Sequence, residues 1–194
     1  LALAGAVSTA VSGAMQNFVL ALTASPPPPA WLVAAQLGPL TAGTAVIAVG
    51  RVVGSAPAMV VGGSLFVLGI AILGAIVLRA RRRSLHGRHG LPVAMYLGAV
   101  AAMLVGGTLG ALVGSNAVGG ELWLQLRQAH AALNPLGWVS LTIAGTLITF
   151  LPTVLRVRMP PWRGWVTAGA LALGLVGIGV GLGTDARWLA GLGG

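Results

Sequence analysis

The sequence predicts an all-α fold: a polytopic bundle of six transmembrane helices. Of the 194 residues, 57% are hydrophobic and only 7% are charged, whereas soluble proteins carry roughly 25% charged residues. The apolar residues fall into six runs, each close to the roughly 20 residues that a helix needs to cross the hydrocarbon core. Lipid offers no hydrogen-bond partner to backbone amides, and the runs show no clear apolar–polar alternation. Helices are therefore expected rather than barrel strands.

The six predicted helices form a single transmembrane domain. They are expected at residues 1–22, 31–50, 56–78, 91–114, 130–151 and 165–183. Four consecutive prolines, Pro26 to Pro29, predict a stiff connection after the first helix. The chain begins inside an apolar run without Met and ends in a Gly-rich tail, so we expect it to be part of a longer polypeptide. Tryptophans lie near helix ends, as interfacial anchors do: Trp31, Trp123, Trp162, Trp165 and Trp188.

The arginines predict the orientation of the bundle. Basic residues concentrate on the cytoplasmic side of membrane proteins, so the connections after the third and fifth helices are assigned to that side. Alternation then places the N- and C-termini outside the cytoplasm. The net charge of +9 is explained by lipid head groups as partners, and no nucleic acid is expected. These features predict a multi-pass protein of the plasma membrane. The eight arginines are Arg79, Arg81, Arg82, Arg83, Arg88, Arg156, Arg158 and Arg163.

Small and polar residues predict where helices approach one another. Glycines four residues apart let helix backbones come close. They occur in the fourth and sixth predicted helices: Gly106, Gly110 and Gly114, then Gly177 with Gly181 and Gly179 with Gly183.

The first predicted helix carries a polar stripe, because Ser8, Ser12 and Gln16 recur every four residues and share a face. We interpret this stripe as a set of hydrogen bonds to neighbouring helices rather than a substrate path, since it holds no charge. Gln36 in the second helix is expected to meet Gln16 or Asn17.

The fifth predicted helix is the most distinctive stretch of the chain. Its polar end leads into a face that accepts close packing: His130, Asn134, Gly137, Leu141, Gly145 and Ile148. From Glu121 to Leu151, a straight helix would be about 46 Å long at 1.5 Å per residue, longer than a hydrocarbon core of about 30 Å. Pro135 is therefore expected to break it. Either residues 121–129 lie along the outer surface, or the helix kinks near Asn134.

His130 is the candidate functional residue, because an ionisable side chain within a membrane is by default a functional hypothesis. An imidazole there can ligate haem or copper, relay protons, or hydrogen-bond to a carbonyl freed by proline. His86 and His89 lie in the arginine-rich connection and are expected to be solvated. The chain has no cysteine, so thiolate sites are excluded within it. The two acids, Glu121 and Asp185, lie at outer helix ends, and no hydrolytic catalysis is expected.

A resemblance rests on the run from Ala129 to Val139, Ala-His-Ala-Ala-Leu-Asn-Pro-Leu-Gly-Trp-Val, and its continuation to Arg156. It resembles a helix of a membrane family that includes the catalytic subunit of haem–copper oxidases and the NnrS proteins. It is most similar to the membrane region fused to copper-containing nitrite reductases, or multicopper-oxidase-like domains, of high-GC Gram-positive bacteria. The family motif is His-x-His-Leu-Asn-x-x-Gly-Trp. Within it, the matching residues include His130, Asn134, Gly137 and Trp138, with Pro135 inside the motif.

The resemblance implies a membrane domain of a copper-dependent nitrite reductase or oxidase-like redox protein. This domain would serve as an anchor and as an electron or ligand conduit. It also implies a fused extracytoplasmic cupredoxin domain holding copper outside this stretch. Ala132 stands where the family motif has its second histidine, so His130 alone is carried over as a ligand to haem or copper.

Two other functions remain open from the residues alone. One is a small-solute transporter, although no acid or arginine lies in mid-membrane and no inverted repeat is visible. The other is a structural subunit of a larger membrane complex, in which the glycine faces are contact surfaces. A homo-oligomer or a larger membrane complex is expected.

Overall fold

The computed structural model describes residues 2–84, 90–158 and 160–183, and within these ranges it contains helices and no strand. The all-α prediction is confirmed. The helices are α1 (Ala2–Thr23), α2 (Ala30–Val53), α3 (Ala56–Arg82), α4 (Gly90–Gly114), α5 (Gly120–Ala132), α6 (Leu141–Val154) and α7 (Pro161–Gly183), with a π-helical segment (Leu133–Ser140) joining α5 to α6.

The described residues form six helices that are long and apolar enough to cross a membrane. Five are α1, α2, α3, α4 and α7. The sixth is the continuous run of α5, the π-helical segment and α6, 35 residues from Gly120 to Val154, which we call the composite helix. The predicted number of helices is confirmed, and their predicted positions agree to within a few residues except at the start of the composite helix.

Connections between the first helices are short because their residues suit tight turns. Pro29 precedes α2 with φ −63° and ψ 147°, the polyproline-II geometry expected for the proline run. At the other end of α2, Gly54 adopts φ 67°, a left-handed conformation that glycine adopts without steric penalty. Ser55 then caps α3, accepting a hydrogen bond from the amide of Ala58 at 3.4 Å. Helices α2 and α3 consequently form a hairpin.

The core lies where α1, α2, α3, α4 and the composite helix meet. Its fully buried members are large apolar side chains, including Met15, Leu40, Ile70, Leu73, Tyr96 and Trp138. Helices α3 and α4 are central, and α7 packs on the outside of α4 and the composite helix. Exposed apolar side chains such as Val166 and Leu173 on α7 suit an environment of lipid.

The polar stripe of α1 faces the interior as expected. Ser8, Ser12 and Gln16 are all buried, and Gln16 Nε2 donates a hydrogen bond of 3.1 Å to Gln36 Oε1. The predicted meeting of Gln16 with Gln36 is confirmed. Asn17 is instead exposed and donates to its own helix. Gln16 thus fastens α1 to α2 towards one end of the bundle, whereas the buried Ser12 Oγ has no hydrogen-bond partner among the described residues.

The aromatic residues at helix ends behave as lipid-facing anchors should. Trp31, Trp162 and Trp165 are 69%, 61% and 58% exposed. Trp123 is half-buried, and Trp188 lies outside the described residues.

The start of α1 and the end of α7 lie at the same end of the bundle. Gly5 of α1 lines a cavity together with His130 near the start of the composite helix. On α7, Gly179 packs against Leu133, where an added methyl would lie 3.2 Å from the Leu133 side chain. The assignment of this end to the extracytoplasmic side stays a prediction from the arginines. Arg88 lies outside the described residues.

Candidate functional site

The composite helix runs through Pro135 without ending, so the expectation of a full break there is wrong, whereas a kink near Asn134 stays a prediction. Helix α5 runs directly into the π-helical segment at Leu133. Pro135 has no amide hydrogen and crowds the preceding turn, and a wider i→i+5 turn accommodates both effects without ending the helix. The proline therefore changes the type of helix and leaves it continuous.

The alternative that residues 121–129 lie along the outer surface is also wrong. They form most of α5, which packs against α4. Trp123 Nε1 donates a hydrogen bond of 3.2 Å to the carbonyl of Val113, and Ala129 is buried. At about 1.5 Å per residue, the 35 residues exceed the roughly 30 Å of a hydrocarbon core, and the polar first turns of α5 are the part expected to extend beyond it.

One face of the composite helix packs along α4, as predicted from helical spacing. Each contact joins a glycine on one helix to a side chain on the other, which the missing Cβ makes room for. Added methyl groups on the glycines would meet these neighbours: Asn134 at Gly106, His130 at Gly110, Ala102 at Gly137, Leu141 at Gly98, and Met95 at Gly145. At Gly106 and Gly110 the neighbours are the side chains of Asn134 and His130, so these glycines make room for side chains rather than for the close backbone approach that was predicted.

His130 packs against α4 with a defined hydrogen bond. Its Nδ1 lies 2.7 Å from the carbonyl oxygen of Gly106. A carbonyl only accepts, so Nδ1 carries the hydrogen, and in the neutral ring Nε2 bears the lone pair. The ring occupies the space left by Gly110, where an added methyl would lie 2.5 Å from His130 Cε1.

Asn134 stands one turn after His130 and orients its amide towards the same ring. Asn134 Nδ2 lies 3.2 Å from His130 Nδ1 and 3.4 Å from Nε2. Since Nδ1 is already a donor, only Nε2 can accept from this amide. Asn134 Oδ1 is buried against Gly106 and has no hydrogen-bond partner among the described residues.

A cavity of about 190 Å³ lies beside His130 and Asn134. Five helices contribute to its wall, including Gly5 of α1 and Thr44 of α2. Two methionines also line it, Met59 of α3 and Met103 of α4. One histidine and two methionines therefore line the same small cavity.

Neither methionine was identified from the sequence. Met59 and Met103 lie on different helices, and nothing in their spacing relates them to His130. Two of the five methionines in the chain border this cavity, but only the packing of α3 against α4 brings them there.

The remaining motif residues serve the packing of the composite helix. Trp138 is 1% exposed and belongs to the core cluster. Its indole Nε1 has no hydrogen-bond partner among the described residues. Gly137 is buried against Ala102 and Leu175. Pro135 is exposed in the π-helical segment.

The side chains at the cavity include types that copper accepts as ligands. Thioether and imidazole ligands together favour Cu(I), and metal-bound histidines commonly donate their second N–H to a backbone carbonyl, as His130 does to Gly106. Whether His130 holds haem or copper stays a prediction from the sequence.

Other metal-ligating residues do not join this site within the ranges described. No group of three or more His, Cys, Asp or Glu lies together there. His86 and His89 fall outside the described residues.

The fold defines the class of the molecule: it is a multi-pass helical membrane protein. Comparisons with protein-family models, with curated proteins and with solved structures found no match to the chain.

Proposed function

We propose that the chain is the membrane-embedded domain of a copper-dependent redox protein of the nitrite reductase or multicopper-oxidase type, located in the plasma membrane. Its principal role in this proposal is to anchor an extracytoplasmic cupredoxin domain. The observation that carries the proposal is the arrangement of the resembling residues. His130 and Asn134 border one cavity, and Gly137 and Trp138 hold the same helix against α4 and the core.

The cavity supports a second role, as a conduit for electrons. His130, Met59 and Met103 would hold a single Cu(I) ion, which supplies one-electron transfer when bound. The chain contributes the orientation of the ligand ring. The Gly106 carbonyl fixes the histidine tautomer at 2.7 Å, and copper would take the Nε2 lone pair that otherwise accepts from the Asn134 amide.

Anchoring is tested on the complete polypeptide. We expect its coding sequence to continue into a cupredoxin domain with the Cys, His and Met ligands of a type-1 copper site. The purified protein is then expected to show the intense visible absorption of a blue copper centre. A complete polypeptide without these ligands would eliminate the proposed function.

Copper binding by the membrane domain is tested separately by anaerobic titration with Cu(I) and a competing chelator. One equivalent is expected to bind the membrane domain. Substitutions His130→Ala and Met103→Leu are expected to weaken binding by at least tenfold, since each removes a ligand. Met95→Leu is the matched control, because Met95 is a buried methionine of the same helix that does not line the cavity. X-ray absorption should report sulfur and nitrogen ligands.

Each test can exclude one proposed role without excluding the other. Equal Cu(I) affinity in the His130→Ala variant and the parent protein would exclude the conduit role while leaving the anchor role intact. In the proposal the domain also associates into homo-oligomers or a larger membrane complex.

A further inference from the structure

Helix α1 has an outer face that no other helix of the described bundle covers. It packs mainly on α2 and α3, whereas Ala10, Ala14, Asn17 and Ala21 are exposed. These residues recur at intervals of four, three and four, so they lie along one side of the helix. The face is shallow, because most of its side chains are methyl groups, and a methyl added at the neighbouring Gly13 would meet no atom within 4 Å.

Asn17 places a carboxamide on this face, within the membrane-spanning part of α1. The span runs from Gly5 to Thr23, so Asn17 lies about 9 Å from its nearer end at 1.5 Å per residue. Long lysine and arginine side chains can extend from such a depth to the lipid head groups. An asparagine side chain is too short to do so, and its amide therefore faces hydrocarbon.

The helix itself satisfies only part of this carboxamide. Asn17 Nδ2 donates a hydrogen bond of 3.0 Å to the carbonyl of Gly13, which uses one of its two N–H groups, and Oδ1 accepts none from the described residues. Exposed hydroxyls differ, because each has a single hydrogen: Thr41 and Thr108 donate theirs to carbonyls of their own helices. A polar group in an apolar environment costs free energy unless it is hydrogen-bonded, so a partner with both a donor and an acceptor would stabilise Asn17.

The other carboxamides of α1 to α4 show how the chain satisfies such a group. Gln16 and Gln36 are buried and hydrogen-bond to each other between α1 and α2. Asn17 is the third carboxamide of these four helices and the one that is exposed. Because a carboxamide contains both a donor and an acceptor, it can pair with a copy of itself.

We propose that this face of α1 is the interface of a parallel homodimer, in which the Asn17 carboxamides of the two copies donate to each other. Copies inserted in the same orientation are related by a two-fold axis along the membrane normal, and the same surface of each copy forms the contact. That axis places both Asn17 side chains at the same depth, which selects a second copy over a helix without a polar residue there. Small residues let the two helices approach, and one polar residue in a seam of this spacing fixes the register.

Disulfide cross-linking in phosphatidylcholine vesicles tests the interface, because the chain has no cysteine of its own. Ala14→Cys and Ala21→Cys, made singly, are each expected to form a covalent dimer on mild oxidation, since both lie within about one turn of Asn17 on the same face. Ala170→Cys is the matched control. Ala170 is exposed on α7, which packs mainly on the composite helix, and this variant is expected to stay monomeric. Equal cross-linking of all three variants, or of none, would overturn the interface.

The role of the carboxamide is tested by the dissociation constant of the dimer. Fluorescence energy transfer between labelled copies is measured in phosphatidylcholine vesicles as the protein-to-lipid ratio varies. Asn17→Leu is expected to weaken association about tenfold, since it removes both hydrogen bonds of the pair. Asn17→Gln keeps the carboxamide and is expected to retain most of the affinity. Asn17 is exposed, so both variants should match the parent protein in circular dichroism.

Two further results would contradict the homodimer. Asn17→Leu associating as tightly as the parent protein would mean that the carboxamides do not pair. A parent protein that stays monomeric at every protein-to-lipid ratio would leave the face to a different membrane helix. The homodimer gives a surface to the association included in the proposed function and rests on that part of it alone. Neither measurement involves copper, so its failure would leave the anchor and conduit roles unchanged.

Discussion

Glycines create close helix contacts in two regions of the bundle, and the atoms they face differ. In the α2–α3 hairpin, a methyl added at Gly43 would lie 2.5 Å from the amide nitrogen of Phe66, and one at Gly62 would lie 2.7 Å from the amide nitrogen of Ile47. Between α4 and the composite helix, Gly106 and Gly110 face polar side chains instead. In the hairpin, the glycines allow two helix backbones to touch, which stabilises the fold. Beside the composite helix, Gly110 also leaves the space that the His130 ring occupies.

The largest expected effect is a loss of stability when a glycine of the α2–α3 hairpin is replaced. Gly43→Ala would place its methyl against Phe66 N and 2.7 Å from Gly62 O, and neither backbone atom can rotate away. Overpacking of this kind costs about 1–3 kcal/mol. The free energy of unfolding, measured by denaturant titration in detergent micelles, is expected to fall accordingly. Cu(I) affinity should remain that of the parent in the fraction that folds.

The control for the hairpin lies in the same helix. A methyl added at Gly38 meets no atom within 4 Å, so Gly38→Ala is expected to gain about 0.5–1 kcal/mol from helix propensity. If the two variants were equally stable, close backbone contact would not be what holds α2 to α3.

An intermediate effect is expected at the site. Gly110→Ala would place a methyl 2.7 Å from His130 Nδ1, but the histidine ring can move. The hydrogen bond to Gly106 is then lost, at a cost of about 0.5–1.5 kcal/mol. Nitrogen-15 NMR of the labelled histidine should show that the Nδ1–H tautomer no longer dominates.

Gly98→Ala provides the comparison within α4, because its methyl would make an ordinary contact of 3.6 Å with Leu141. The tautomer of His130 should not change in that variant. An unchanged tautomer in Gly110→Ala as well would mean that the glycine does not position the ring.

Much of this arrangement is predictable from local pattern. Apolar runs of membrane length predicted the six helices, and four-residue spacing predicted the face that carries His130 and Asn134. The same spacing predicted the inward stripe of α1, while the meeting of Gln36 with Gln16 or Asn17 was predicted from their position on the same side of the membrane. For each face, residues close in sequence report on one side of one helix, which helical periodicity determines.

Features set by tertiary packing were not predictable in this way. Periodicity does not reveal how a backbone accommodates Pro135. The same residues are compatible with a π-helical turn and with the end of a helix. Met59 and Met103 reach the cavity only because α3 packs beside α4. The hairpin did leave one signal: Gly43 and Gly50 are two turns apart in α2 and share a face, and both are buried.

The smallest expected effect concerns the polar pair near the opposite end of α1. Gln36→Leu leaves Gln16 Nε2 without its 3.1 Å acceptor, and hydrogen bonds between membrane helices contribute about 0.6 kcal/mol on average. The free energy of unfolding in micelles should fall by about that amount.

The double variant Gln16→Leu with Gln36→Leu should recover most of the lost stability, because replacing both partners by apolar groups leaves no unpaired donor. If the double variant were as unstable as Gln36→Leu, the pair would stabilise the protein through its packing rather than through its hydrogen bond. The Cu(I) affinity of Gln36→Leu is expected to equal that of the parent protein. A changed affinity would mean that the polar stripe of α1 and the His130 cavity are coupled.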